Sequence, residues 1–176
     1  MTDWFTSDTH FNHVNIIPYC KRPYASIHEM NNALIDNWNA CVKEEDTVFH
    51  LGDFGMGSFK DFPDIRSRLK GSIVLILGNH DLRHSAQKWK TIVGINEVWD
   101  FLYYEDVYLC HYPYEGDTQD QERFKDRRLQ DCGHWLLHGH VHDMWHVKGR
   151  QINVGVDVNN YRPISFEEIR KLQNEI

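Results

Sequence analysis

No apolar run in this sequence approaches the roughly 20 residues needed to span a bilayer. The opening stretch MTDWFTSDTHFN has neither a basic segment nor an apolar one, so no secretory leader is expected and the cytoplasm is the default location. Cysteine is scarce. Cys20, Cys41, Cys110 and Cys132 form no C-x-x-C pair, which argues against a structural zinc finger and for reduced thiols, buried or half-buried. There is no internal repeat, low-complexity tract or Pro/Gly/Ser linker, so residues 1–176 read as a single domain large enough to bury a core. Positive charge is also in deficit: 19 Lys and Arg stand against 26 Asp and Glu, a net −7. That balance argues against stable nucleic-acid binding, which usually needs a basic face. It leaves a phosphate substrate open, because bound divalent cations can supply the positive field locally.

What the chain does have is histidine, twelve in all, with three inside the stretch LLHGHVH at 136–142. A chain so rich in histidine produces a His-x-His by chance, so the stretch gains meaning only from its surroundings. Short apolar runs that end in polar residues recur at 3–10, 47–53, 72–81, 107–113 and 134–142, with further runs at 97–104 and 150–158. Rich in Val, Ile, Leu and aromatics, they read as buried strands. Between the early ones lie helical patterns. Ser26 with Glu29 forms a capping box ahead of an apolar stripe of Ile27, Met30, Leu34 and Trp38. Ser58 is expected to cap a helix with Phe62, Ile65 and Leu69 inward, closing near Gly71. A third helix is expected over 85–93, and Ser165 with Glu168 opens a fourth in which Ile169, Leu172 and Ile176 face in. Strand and helix alternate in the first half and strands dominate the second, the pattern of an α/β fold with a mixed sheet or two sheets packed together.

The strand ends present, in chain order, Asp8 and His10, then Asp53, then Asn79, His80 and Asp81, then His111, then His140 and His142. Carboxylate, imidazole and amide oxygen without thiolate suit Mn²⁺, Fe²⁺, Ni²⁺, Co²⁺ or Zn²⁺. Two ligands two residues apart are expected to point the same way from an extended segment. Gly52, Gly78 and Gly139 each precede a ligand, where the chain must turn out of the sheet and approach the ions closely. Seven ligands suit two ions sharing one carboxylate, the usual clamp for phosphoester hydrolysis.

The ordered blocks DTH (8–10), GD (52–53), GNHD (78–81), His111 and GHVH (139–142) resemble the calcineurin-like metallophosphoesterase superfamily, in its compact bacterial and phage-encoded form. The resemblance implies two mixed β-sheets packed as a sandwich flanked by helices (α/β/β/α), with the site at the strands' carboxyl ends. It implies that Asp8, His10 and His142 hold one metal, that Asn79, His111 and His140 hold the second, and that Asp53 bridges them, Mn²⁺ being the first choice. It further implies His80 at the leaving-group oxygen, with Asp81 hydrogen-bonded to it. The expected reaction is in-line attack of a metal-bridging hydroxide on a phosphomonoester or phosphodiester, assisted by His80 as general acid.

His13, Arg22 and Arg83 are the candidate substrate contacts, and Tyr112 and Tyr114 candidate stacking rings for a nucleobase. His50 and His138 read as strand-end histidines bonded to backbone or neighbouring side chains rather than as ligands. The charged stretch 116–128 reads as a solvated loop or helix face, or as a wall over the site. With no second domain or long insertion to select a large partner, a small phosphate ester or nucleotide is the favoured substrate. The alternatives are a nuclease acting on single strands and a non-catalytic protein-binding scaffold. The oligomeric state is left open.

Overall fold

The computed structural model of the chain describes residues 1–116 and 124–175. It opens with β1 (Asp3–Thr6), α1 (Ile16–Tyr19), α2 (Ile27–Cys41), β2 (Thr47–His50), α3 (Phe62–Arg68) and β3 (Ser72–Ile76). It continues with α4 (Ala86–Lys88), β4 (Glu97–Trp99), β5 (Phe101–Tyr104), β6 (Val107–Cys110) and β7 (Trp135–His138). It closes with β8 (Val147–Lys148), β9 (Gln151–Asn153), β10 (Ile164–Ser165) and α5 (Phe166–Asn174). Two five-stranded mixed sheets result, ordered β10-β1-β2-β3-β4 and β5-β6-β7-β9-β8. In the first, β1 to β4 are parallel and β10 is antiparallel to β1; in the second, β6, β7 and β9 are parallel and flanked by antiparallel β5 and β8. Among the described residues no helix is long and apolar enough to cross a membrane.

The first sheet is apolar on both faces, which is why its strands read as unbroken hydrophobic runs. Val48, Ile73 and Leu75 point outward under Met30, Leu34 and Trp38 of α2 and Phe62 and Ile65 of α3. Phe49, Val74 and Ile76 point the other way and meet Val107, Leu109, Leu137 and Ile152 of the second sheet, with Ile169 of α5 joining that layer. The outer face of the second sheet is covered, among the described residues, by Phe124 and Leu129 over Cys110, Tyr112 and Leu136.

Several local expectations need amendment. Ser58 makes no cap: a 3₁₀ turn (Phe59–Asp61) intervenes and α3 begins at Phe62, with Pro63 in its first turn, where its fixed φ and missing N–H fit. The 85–93 helix starts on a Ser85 cap but passes into a wider π turn (Trp89–Val93) and stops at Gly94, φ 84°. The run 97–104 is two strands, not one: β4 joins the first sheet and β5 the second, with the break at Asp100. Ser26 accepts the Glu29 N–H, while the Glu29 carboxylate reaches one residue further back, to the Ala25 N–H at 2.8 Å. Cys132, expected to be at least half-buried, is exposed. Ile176 and residues 117–123, part of the 116–128 stretch considered as a wall, lie outside the described residues.

Candidate metal centre

The parallel strands of both sheets end at one edge of the sandwich, and the segments leaving them are stitched together. Beyond β1, the Asp8 N–H donates to Gly52 O at 3.0 Å and the His10 N–H to Asp53 O at 3.1 Å. Asp8, His10 and Asp53 are thereby neighbours. Asp8 (φ 56°), His10 (49°), Asp53 (55°), His140 (70°) and His142 (48°) all adopt the left-handed region. For residues other than glycine this costs about 1–2 kcal/mol each, a strain that persists only where the surrounding structure enforces it. Asp8 and His10 therefore converge through alternating left-handed turns and not, as expected, from an extended segment. Thr9 between them turns inward, its Oγ1 donating to Phe54 O at 2.7 Å.

The glycines supply room more than turning. A Cβ on Gly52, itself at φ 93°, would lie 2.6 Å from both Gly78 N and His111 Nδ1. One on Gly139, whose φ is ordinary, would collide with the side chains of Ser7 and Asp8.

Asp53 is central. Its Oδ2 lies 3.6 Å from His10 Nε2, 3.6 Å from His111 Nε2 and 3.8 Å from His80 Nε2. Asn79 Oδ1 sits 3.2 Å from His111 Nε2 and 3.1 Å from His140 Nδ1. Ligand atoms of Asp8, His10 and His142 fall within 4.8 Å of one another, and so do those of Asp8, Asp53 and His111. All seven candidate ligands thus gather in one cradle: Asp53, Asn79, His140 and His142 line a cleft of about 340 Å³, and Asp8, His10 and His111 are buried against them.

The donor set fits a divalent cation on independent grounds. Asp8 Oδ1 and His10 Nε2 are buried without any hydrogen-bond partner. An orphaned buried polar atom costs about 1–3 kcal/mol, and both face the cradle, His10 Nε2 standing 3.8 Å from Asp8 Oδ1. Burial and then the charge of Asp8 push the Asp53 carboxyl up to about 8. Burial alone would lower His142, but Asp8, Asp157 and Cys20 together push it up to about 11. Acidic groups packed this closely raise the proton affinity of their neighbours, and a cation would relieve the same repulsion.

His80 and Asp81 are close in chain but do not form the pair that the resemblance implied. The buried Asp81 carboxylate accepts from three backbone N–H groups: Asp53 at 2.7 Å, Gly78 at 2.8 Å and Phe54 at 3.1 Å. It locks the turn after β2 onto the turn after β3 and sets the position of Asp53. His80 Nδ1 has no partner. Burial, and then His13 and Arg83, lower His80 to about 4.

Arg22 is not available to a substrate. Its side chain is buried and all five guanidinium N–H donors are committed. They reach Asp157 twice (2.7 and 2.8 Å), Asp8 O (2.7 Å), Thr9 O (3.0 Å) and Met30 Sδ (3.5 Å). Arg22 clamps the strained Asp8–Thr9 turn, and Asp157 extends to His142 Nδ1 at 3.4 Å. Removing one partner of a buried pair typically costs about 3–5 kcal/mol, so Arg22→Met is expected to lower the urea midpoint sharply. An unchanged midpoint would show the clamp to be dispensable.

Arg83 is exposed and carries charge toward His80, His13 and Asp53. His13 is half-buried, its Nδ1 3.1 Å from His10 Nδ1. Tyr112 offers no stacking face: it is buried, packed edgewise on His111 (4.9 Å) and His140 (5.1 Å). Tyr114 sends its hydroxyl to His134 O at 3.3 Å. His50 and His138 are buried and bonded as expected, to Thr9 Oγ1 (2.9 Å) and Gly139 O (2.7 Å). Two residues escaped the sequence reading. Asp157, inside an expected strand, carries no local signal. Tyr19, at the cleft mouth, follows Pro18 in a single helical turn too short to show a period.

Residues 1–157 match the family model described as the calcineurin-like phosphoesterase superfamily domain. An uncharacterized protein of Methanocaldococcus jannaschii is 35% identical over 178 residues, spanning 96% of this chain and 89% of its own. The gene 66 protein of Mycobacterium phage L5 is 32% identical, covering 98% of this chain and 94% of its own. The crystal structure of a protein of unknown function from Aquifex aeolicus superposes with a TM-score of 0.74 at 31% identity, over 97% of this chain and 98% of that one. With its motif residues drawn into a single cradle on a two-sheet sandwich, the chain belongs to the calcineurin-like phosphoesterase superfamily.

Proposed function

We propose that the chain is a dinuclear metal-dependent phosphoesterase acting on small phosphate esters. The observation that carries the reading is the position of Asp53 Oδ2, at 3.6 Å from both His10 Nε2 and His111 Nε2, so that one carboxylate stands between two imidazole sets. Asp8, His10 and His142 would hold one cation, Asn79, His111 and His140 the other, and Asp53 both. Two cations there would supply Lewis acidity toward a phosphoryl group and toward water. Mn²⁺ is the first choice, and a cytoplasmic setting suits the reduced cysteines.

The protein's own groups prepare that chemistry. The His111 Nδ1–H donates to Leu51 O at 2.7 Å, which leaves Nε2 as a free lone pair facing Asp53. Asp157 on His142 Nδ1 and His13 on His10 Nδ1 do the same for their partners. His80, half-buried beside Asp53, is the proton donor for the leaving oxygen. Its Nε2 stands 3.8 Å from Asp53 Oδ2 and its Nδ1 has no partner, so a bound phosphate would add to the negative charge that raises its proton affinity. Arg83 adds an exposed cation for the substrate anion.

Hydrolysis of p-nitrophenyl phosphate or its bis ester with added Mn²⁺, abolished by a strong chelator and restored by metal, tests the activity. Persistent hydrolysis by the chelated protein sinks the reading, and cleavage of a single-stranded oligonucleotide alone would favour a nuclease against the net charge of −7.

A second test needs no turnover. At pH 7 the metal-free Asp53, at about 8, and His142, at about 11, are both protonated. A cation selects the carboxylate and the neutral imidazole, so loading should release about one proton per ion, with affinity rising as pH climbs toward 8. Calorimetry in buffers of differing ionisation enthalpy measures this. Loading without proton release would contradict it.

A further inference from the structure

Among the described residues eight large apolar side chains remain exposed, and two of them edge the metal cleft together: Tyr19 is 71% exposed and Met144 50%. They come from separate segments, α1 and the turn after His142, and Ile16 and Val141 line the cleft beneath them. Apolar side chains left in water around a concave polar site mark a place where something apolar binds. Tyr19 also begins a row of rings. It meets His13 edge-on (centroids 6.5 Å, 81°), and His13 lies 5.8 Å from His80. The row joins the group proposed to protonate the leaving oxygen, through His13, to the exposed Tyr19 at the cleft mouth.

We infer that the site is built for phosphate esters whose leaving group is a flat ring, an aryl or nucleobase-sized moiety seated between Tyr19 and Met144. This rests on the phosphoesterase reading and deepens it. Tyr19, exposed at the cleft mouth, keeps ring surface open to stack, and the polarisable Met144 sulfur adapts to ring edges. A small alkyl phosphate would reach the cations and Arg83 while leaving both side chains in water. His13 thereby gains a role beyond the phosphate contact: it carries the ring row from Tyr19 to the reacting centre while orienting His10.

Phenylphosphonate and methylphosphonate test this, since they share the anion and differ only in the ring. Titrated calorimetrically into Mn²⁺-loaded protein, phenylphosphonate is expected to bind at least about tenfold tighter, within the range of one stacked ring. In the doubly substituted Tyr19→Ala/Met144→Ala protein that preference should fall to about twofold, with methylphosphonate binding and the thermal midpoint unchanged because both side chains are exposed. Equal binding of the two phosphonates by the wild type overturns the inference, and so does a preference that survives the double substitution. If neither phosphonate binds and no ester is hydrolysed, the phosphoesterase reading itself has failed. Binding of both without ring preference would leave that reading standing.

Discussion

Asp53→Asn is expected to lower kcat/KM by about 10³-fold or more, because the one carboxylate shared by both proposed cation positions supplies several kcal/mol of transition-state charge stabilisation through them. Elemental analysis should show the metal content falling from two ions per chain. The substitution is nearly isosteric, and Asn can still accept the His80 N–H that now donates to Asp53 Oδ1 at 2.9 Å. The fold should survive, and stability gives an independent readout. The metal-free Asp53 titrates near 8, far above its unfolded value of 3.8. A carboxyl raised in this way favours the folded state while protonated, and that advantage is lost as pH rises toward 8. Metal-free Asp53→Asn protein is therefore expected to melt higher than metal-free wild type at pH 8, with the difference shrinking toward pH 4. A structural carboxylate would show the reverse, so a variant less stable at pH 8 would refute the assignment.

His80→Ala should leave both ions bound and still lower kcat by about 10²–10⁴, the usual worth of a general acid. The loss should be smaller for p-nitrophenolate, which departs without a proton, than for an alkoxide. Asp81→Asn separates the two neighbours. Asp81 does not touch His80 but holds three backbone N–H groups around Asp53, so its replacement should weaken metal retention and stability together. Full activity in His80→Ala would remove the acid assignment and leave the metal assignment intact.

The candidate cradle was legible in the sequence because a proposed metal site draws on few residue types. Carboxylate, imidazole and amide at the ends of apolar runs announce themselves block by block. The strands were legible for a related reason: a sheet buried on both faces needs unbroken apolar runs such as SIVLI in β3. Arg22 and Tyr112 were misread, since each stands beside a motif or in a suggestive local context. Their environments are set by contacts remote in chain, Arg22 with Asp157 135 positions away and Tyr112 beneath Phe124 and His140.

The sequence alone therefore determined which side chains are available for chemistry, and that they stand at strand ends. Only the folded chain decided that the run 97–104 divides between two sheets, that the candidate ligands converge through left-handed turns, and that Asp81 serves the backbone. The physical reason is range. Residue chemistry and hydrophobic period are local properties, whereas strand pairing, a guanidinium's choice of partners and the filling of a carboxylate's lone pairs depend on what the remote chain brings beside them.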